Sequence, residues 1–242
     1  MFERKPKKVL ITGSTQGIGK AIAEAMVKEG YSVIVHCSKD IDKAESVRAE
    51  IGAYKAVVAD LSNMLETESL KEKTGDIDIL IANASVQFRK EWFNITEAEL
   101  DLQMTVNFKS TFKMMQLYYS HMKMQKWGRI ITIGSVQQYK PHKDMAIYAA
   151  SKCAVMSFVE NIAKQVAVEG ITVNNISPGV IDTPRNTAAL NDEAYKAKLM
   201  AGIPMGVAGE SGDCVGAVLL LCSEKGRYIT GTDIIIDGGM RL

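Results

Sequence analysis

No two of the four cysteines, Cys37, Cys153, Cys214 and Cys222, form a C-x-x-C pair, and none stands at metal-ligand spacing from the three histidines. That excludes a zinc ribbon or a thioredoxin-type redox pair, and isolated cysteines of this kind behave as small buried hydrophobes. An excess of charge of one sign is missing too. Lys and Arg number 29 against 28 Asp and Glu, so nothing global draws the chain toward nucleic acid or an acidic membrane. No apolar stretch approaches the ~18 residues of a membrane span. The basic opening MFERKPKK is followed only by VLITG before a glycine-rich region, too little for the core of a signal peptide. Internal repeats, low-complexity segments and linkers are absent. These absences predict a soluble, cytoplasmic protein with no metal, nucleic-acid or membrane partner.

What is present is apolar material enough for one sizeable core: 47% of 242 residues, with 24% charged. It is organised in short runs rich in Val and Ile: 8–12 (KVLIT), 31–36 (YSVIVH), 54–59 (YKAVVA), 77–82 (IDILIA), 129–134 (RIITIG), 171–177 (ITVNNIS) and 233–237 (DIIID). These mostly do not alternate, the pattern of strands buried on both faces of a parallel sheet. Amphipathic segments such as 18–30 and 44–52 separate them and read as crossover helices, with Gly30, Gly52 and Gly170 as C-terminal caps. The expected fold is α/β, a doubly wound seven-stranded parallel sheet of Rossmann type with helices on both faces, one domain over 1–242. The stretch 183–212 breaks the regularity. It carries a short helical pattern at 191–200 (NDEAYKAKLM) and reads as a lid over a site.

The first strand runs into VLITGSTQGIGKAIA, with Gly13, Gly17 and Gly19 between strand and helix. Glycines there let backbone approach a pyrophosphate at a helix N-terminus. The spacing G-x-x-x-G-x-G is not the common dinucleotide fingerprint, and there is no Gly-Lys-Ser/Thr ending of a P-loop. A second motif, YAASK, puts Tyr148 and Lys152 four apart on one helix face. A cation one turn away favours a phenolate, which lets a phenol exchange its proton near neutral pH.

Together these blocks resemble the short-chain dehydrogenase/reductase family over about residues 7–240. The resemblance is carried by Thr12-Gly13-x-x-x-Gly17-Ile18-Gly19, by Asp60, Asn107, Ser135, Tyr148 and Lys152, by Ser177-Pro178-Gly179-Val180-Ile181-Asp182-Thr183, and by the ending ITGTDIIIDGG. It implies hydride transfer between a nicotinamide and a ketone or secondary alcohol. Tyr148 would be the general acid/base, Ser135 the donor to the reacting oxygen, Lys152 the partner of Tyr148 and of the nicotinamide ribose, and Asn107 the anchor of a water relay. It assigns cofactor contacts to the loop residues Gly13, Ser14, Gln16, Gly17, Ile18 and Gly19, to Cys37, Ser38 and Lys39, and to Asp60 and Leu61. Further contacts fall on Asn83 and Ala84, on Tyr148 and Lys152, and on Pro178, Gly179, Ile181 and Thr183.

NADP(H) is expected over NAD(H). Cys37 stands where NAD users of the family carry an aspartate, and Lys39 stands where NADP users often have an arginine. Two neighbours oppose this: Gln16 replaces a basic residue common in NADP users, and Asp40 lies one step beyond. Ser85 replaces a family glycine, and Val207 and Ser211 replace an arginine and a proline in the lid. The substrate side takes Ser85, Gln87, Gln137 and Met145, with Phe88, Gln138, Tyr139, His142, Arg185 and Asn186 as further walls. The motif blocks are most similar to 3-oxoacyl-acyl-carrier-protein reductases, for example GRIITIGS at 128–135. Carrier docking would then use Lys126 and Arg129, against the opposing charge of Glu169. A sugar or polyol substrate is the competing expectation, and a non-catalytic dinucleotide-binding scaffold the alternative of another class. The resemblance further implies a homotetramer or homodimer packed through the helices of Asn107 and Tyr148 and through the C-terminal strand. Those helices carry Phe108, Phe112, Met114, Met115, Val155, Met156 and Phe158, enough for more than one buried face.

Overall fold

The structure is a computed structural model that describes residues 5–242; the start of the basic opening segment, residues 1–4, lies outside the described residues. Each of the seven apolar runs forms a strand: β1 (Lys8–Ile11), β2 (Ser32–Cys37), β3 (Lys55–Val58), β4 (Ile79–Ala82), β5 (Gly128–Ile133), β6 (Ile171–Pro178) and, after two short strands described below, β9 (Asp233–Ile236). They make one all-parallel sheet in the order β3-β2-β1-β4-β5-β6-β9. Every residue of β4, β5 and β6 is buried, which is why these runs lack alternation.

Successive side chains of a strand point to opposite faces, so each strand feeds two cores. Leu10, Ile34, Leu80 and Ile130 join Leu70 of α3 (Met64–Thr74), Tyr118 of α5 (Ser110–Met124) and Val155 and Val159 of α6 (Ala146–Val166). On the other face Val9, Ile11, Val33, Ile79 and Ile81 meet Ile22 and Met26 of α1 (Gly17–Lys28), Val47 of α2 (Ile41–Ile51), and Val218 and Leu221 of α9 (Val215–Cys222). This is the doubly wound, Rossmann-like α/β fold. The chain leaves β1 toward β2 and β3, then returns to add β4 on the other side of β1. That reversal opens a crevice at the carboxyl ends of β1 and β4, where ligands bind in such sheets.

Three features differ from the sequence reading. Helix α2 starts at Ile41, earlier than the apolar pattern suggests, because the Asp40 carboxylate caps it by accepting from the Lys43 amide at 2.8 Å. Asn107 lies in a π-helical turn, Thr105–Lys109, between α4 (Glu97–Met104) and α5. The 183–212 stretch is tied off at its base by two residues of strand at each end. There β7 (Ile181–Asp182) pairs with β8 (Gly209–Glu210), and α7 (Thr187–Asn191) and α8 (Glu193–Ala201) lie between them. Val207 is exposed, and Ser211 opens a 3-10 turn beyond β8.

Candidate active site

A cleft of about 680 Å³ runs along the carboxyl ends of the strands, lined by residues that follow β1, β2, β3, β4, β5 and β6 in turn. At the end expected to hold the phosphates, Gly13 and Gly17 have φ of 62° and 55°, left-handed backbone that favours glycine. Gly19 is required by proximity instead: a Cβ there would lie 2.5 Å from both the Asn83 side-chain nitrogen Nδ2 and the Gly13 carbonyl oxygen. The N-terminus of α1 has no side-chain cap from Gln16 and no acidic residue in its first turn. Its free N–H groups and dipole fit the diphosphate of a dinucleotide.

Ser14 does not face this cleft. It is fully buried, donates to the Ile11 carbonyl at 2.8 Å and accepts from the His36 amide at 3.0 Å, while Thr15 lines the wall. His36 braces the loop from β2, its Nδ1 accepting from the Gly13 amide at 3.1 Å and its Nε2 bonded to the Ala59 carbonyl at 3.0 Å. Burial lowers its pKa from 6.5 to about 4. The unfolded chain therefore binds the extra proton between those values, and stability declines as pH falls from 6.5 toward 4. The loss expected from this residue is about 3 kcal/mol. Denaturant unfolding of the wild type and of His36→Gln across that window tests it: the slope is expected to flatten in the variant, and equal slopes would contradict it.

At the end expected to take the adenosine, Cys37, Ser38, Lys39, Asp60 and Leu61 line the cleft. Asp60 accepts from the Ser62 amide and hydroxyl at 2.9 and 2.7 Å and faces Lys39 Nζ at 3.2 Å. Burial pushes its carboxyl up, but these hydrogen bonds and the ammonium hold it below the usual carboxylate value. Lys43, which the sequence reading passed over, reaches from the first turn of α2 to Gln16 Oε1 at 2.8 Å. A cation thus stands beside the very loop position that lacks one. The competing charge of Asp40 is turned into its own helix cap.

At the other end Ser135 and Tyr148 line the cleft, while Lys152 and Asn107 lie buried behind it. Ser135 Oγ accepts from the Gln137 amide at 3.2 Å, which leaves its hydrogen free to donate. Lys152 Nζ donates to the Ile133 carbonyl at 2.7 Å and lies 5.7 Å from the Tyr148 ring centroid. Burial, with the charge of Arg185 adding to it, lowers the ammonium pKa to about 7. Asn107 clasps Val86, accepting from its amide at 2.8 Å and donating to its carbonyl at 3.0 Å, and it also donates to Ser151 Oγ at 3.0 Å. The Asn107 carbonyl accepts from the Thr111 hydroxyl at 3.1 Å.

Asn83, Ala84, Pro178, Gly179, Ile181 and Thr183 form the connecting wall, and Ser85, Gln87, Gln137 and Met145 line its far end with His142, Arg185 and Asn186. Phe88, Gln138 and Tyr139 do not line it. Gln138 and Tyr139 turn toward Asp233, Tyr139 donating at 2.7 Å, because a capping box at Ser135 folds the segment back on itself. Ser85 has no positive φ, and its hydroxyl and carbonyl accept from Arg185 at 2.9 and 2.7 Å. The docking reading loses a contact: Arg129 is 2% exposed, stacked 4.3 Å over Trp127. Glu169 is already held by Tyr119 and Lys123, both at 2.9 Å. No cluster able to hold a metal occurs among the described residues, and none of the helices there is long and apolar enough to cross a membrane.

A family model described as enoyl-(acyl carrier protein) reductase matches residues 13–241. The 3-oxoacyl-acyl-carrier-protein reductase of Haemophilus influenzae is 36% identical over 249 residues, 98% of each chain. The structure of a 3-oxoacyl-acyl-carrier-protein reductase from Agrobacterium tumefaciens with NADP bound is similar at a TM-score of 0.92 and 33% identity. It covers 96% of this chain and is itself covered to 93%. A gluconate 5-dehydrogenase from Burkholderia cenocepacia, in complex with NADP and tartrate, gives a TM-score of 0.90 at 29% identity, with coverages of 99% and 96%.

Proposed function

The chain belongs to the short-chain dehydrogenase/reductase family of NAD(P)-dependent oxidoreductases, and from that premise we propose that it interconverts a polar ketone and its secondary alcohol with Tyr148 as general acid/base and NADP(H) preferred. The observation that carries the assignment of roles is the convergence of two hydroxyls, Ser135 and Tyr148, on one cleft with the Lys152 ammonium behind them. The nicotinamide, when bound, supplies or accepts the hydride. The glycine loop and the α1 N-terminus would hold its diphosphate, and Asn83, Pro178, Gly179, Ile181 and Thr183 would line its path to the reacting end.

In the reducing direction the carbonyl oxygen accepts from Ser135 and Tyr148. Negative charge grows on that oxygen, and fixed donors stabilise it more in the transition state than before it. Tyr148 then gives up its proton, and Lys152 stabilises the negative charge left on the phenolic oxygen. Asn107 acts one step back, tying the Val86 segment to Ser151 on the helix that carries Tyr148. Of the expected docking cations only Lys126 is exposed.

The curated relatives support a 3-oxoacyl substrate. A sugar acid or polyol is the second reading, favoured by the polar, arginine-bearing far end of the cleft and by the gluconate 5-dehydrogenase likeness. A non-catalytic scaffold would have lost Tyr148, Lys152 or Ser135, and all three are present. NADPH oxidation in the presence of ketones and of an enoyl thioester tests the reaction: ketone-dependent oxidation is expected, and oxidation with the enoyl compound alone would overturn it.

We also read residues 1–242 as one NAD(P)-binding unit with a lid at 183–212, cytoplasmic and homo-oligomeric. Free cysteines support a reducing compartment. The outer face of the long helices supports pairing as a homotetramer or homodimer. Met114, Met115 and Val155 are consumed by the core, whereas Phe108, Phe112 and Phe158 form an aromatic cluster with Phe112 38% exposed.

A further inference from the structure

The residues lining the far end of the cleft carry charge of one sign, with the Asp144 carboxylate set behind them, 3.9 Å from His142 Nδ1. Arg89 and Arg185 line it together with His142 and Tyr195, and the one carboxylate among the cleft-lining residues described, Asp60, lies at the opposite end beside Lys39. Neither arginine pairs with a carboxylate among the described residues. Arg185 from the lid base donates both arms of its fork to neutral oxygens of Ser85, at 2.9 and 2.7 Å. Arg89 donates to the Tyr195 hydroxyl of α8 at 2.9 Å and stacks 5.3 Å over its ring.

His142 adds a third donor. The Asp144 amide donates to its Nδ1 at 3.2 Å, which leaves the proton of the neutral ring on Nε2. Burial and then the Arg89 charge hold its pKa below the usual value, so the neutral ring is the form present at neutral pH. Nε2 faces Arg89 Nη2 at 3.4 Å, and in the tautomer set by the Asp144 amide the two are donor against donor.

We propose that this cluster receives a carboxylate on the substrate, so that the compound reduced or oxidised is a small oxo acid or hydroxy acid, sugar acids included. The proposal rests on the reading of the cleft as a ketone/alcohol site and names its substrate class. A planar guanidinium matches a carboxylate with two parallel charge-assisted hydrogen bonds, roughly twice as strong as those to neutral oxygens, so an acid competes well with Ser85 for the Arg185 fork. Arg89, His142 and Tyr195, which line the same cleft, reinforce it. A bound anion would join the lid to the segment after β4, and its negative charge would offset the unfavourable influence of Arg185 on Lys152.

The test uses the whole protein saturated with NADP⁺, in which a ketone binds and no hydride can move. Acetoacetate and levulinate are titrated calorimetrically, each beside its ethyl ester. At least one acid is expected to bind about 10- to 100-fold more tightly than its ester, and that advantage is expected to vanish in Arg185→Gln and to shrink in Arg89→Gln. Both side chains are exposed, so the folded state tolerates their removal. Acids that bind no better than esters, or an advantage that persists in Arg185→Gln, would overturn the proposal. Turnover of the same compounds with NADPH is read in parallel. Discrimination without turnover supports the carboxylate site and sinks the hydride-transfer reading, and turnover without discrimination does the reverse.

Discussion

Tyr148→Phe is expected to lower kcat/KM for ketone reduction by about a hundredfold to ten-thousandfold, the range that a positioned general acid contributes. The change removes one oxygen and leaves a ring that is 6% exposed in its present packing. Lys152 keeps its bond to the Ile133 carbonyl, and the glycine loop lies on other elements. NADPH affinity should therefore fall by no more than the single contact of the phenol hydroxyl, far less than kcat, a split that a merely structural defect would not give. Steady-state kinetics with a fluorescence titration of NADPH check both halves. Activity within roughly threefold of the wild type would mean that the proton comes from elsewhere, with His142 and Tyr195 among the titratable groups on the cleft wall.

The second large effect concerns the cofactor. The double variant Lys39→Ala/Lys43→Ala is expected to reduce the NADPH-over-NADH ratio of kcat/KM by about a hundredfold, roughly tenfold from each lysine. These are low-end values for charge-assisted bonds to a phosphate, because the Lys39 side chain is 78% exposed and solvent screens its charge. The two ammonium groups reach the adenosine end from different directions, Lys39 from beyond β2 and Lys43 from the first turn of α2. Asp60 keeps its two bonds from Ser62 when Lys39 moves to a phosphate, so the exchange strands no buried carboxylate. NADH should be little affected, since its ribose hydroxyl carries no charge to lose. An unchanged ratio would assign the preference to Cys37 and Ser38 alone.

The strands were legible because burial on both faces demands runs without polar alternation, and β4, β5 and β6 are such runs, with the polar Arg129, Asn174, Asn175 and Ser177 buried as well. The glycine loop and the Tyr148–Lys152 pair were legible for a similar reason: their spacing follows from backbone geometry. What escaped depends on contacts between distant segments. β7 and β8 are two residues each, too short for any periodicity, and exist through their pairing. Ser14 and Thr15 look equivalent in sequence, yet the left-handed turn at Gly13 sends the first into the core and the second to the cleft. Lys43 reads as one more solvated lysine until α2 is docked beside the loop. Arg129 reads as an exposed cation because strands seldom bury one; here Trp127 covers its guanidinium and Glu224 lies at 3.8 Å.

The most direct test of the whole account is NADPH absorbance followed against a panel of small polar ketones, repeated with NADH. The account predicts ketone-dependent oxidation of the cofactor, with a higher kcat/KM for NADPH than for NADH. Tight NADPH binding with no ketone-dependent oxidation anywhere in the panel, and no difference between wild type and Tyr148→Phe, would contradict it and leave a dinucleotide-binding scaffold.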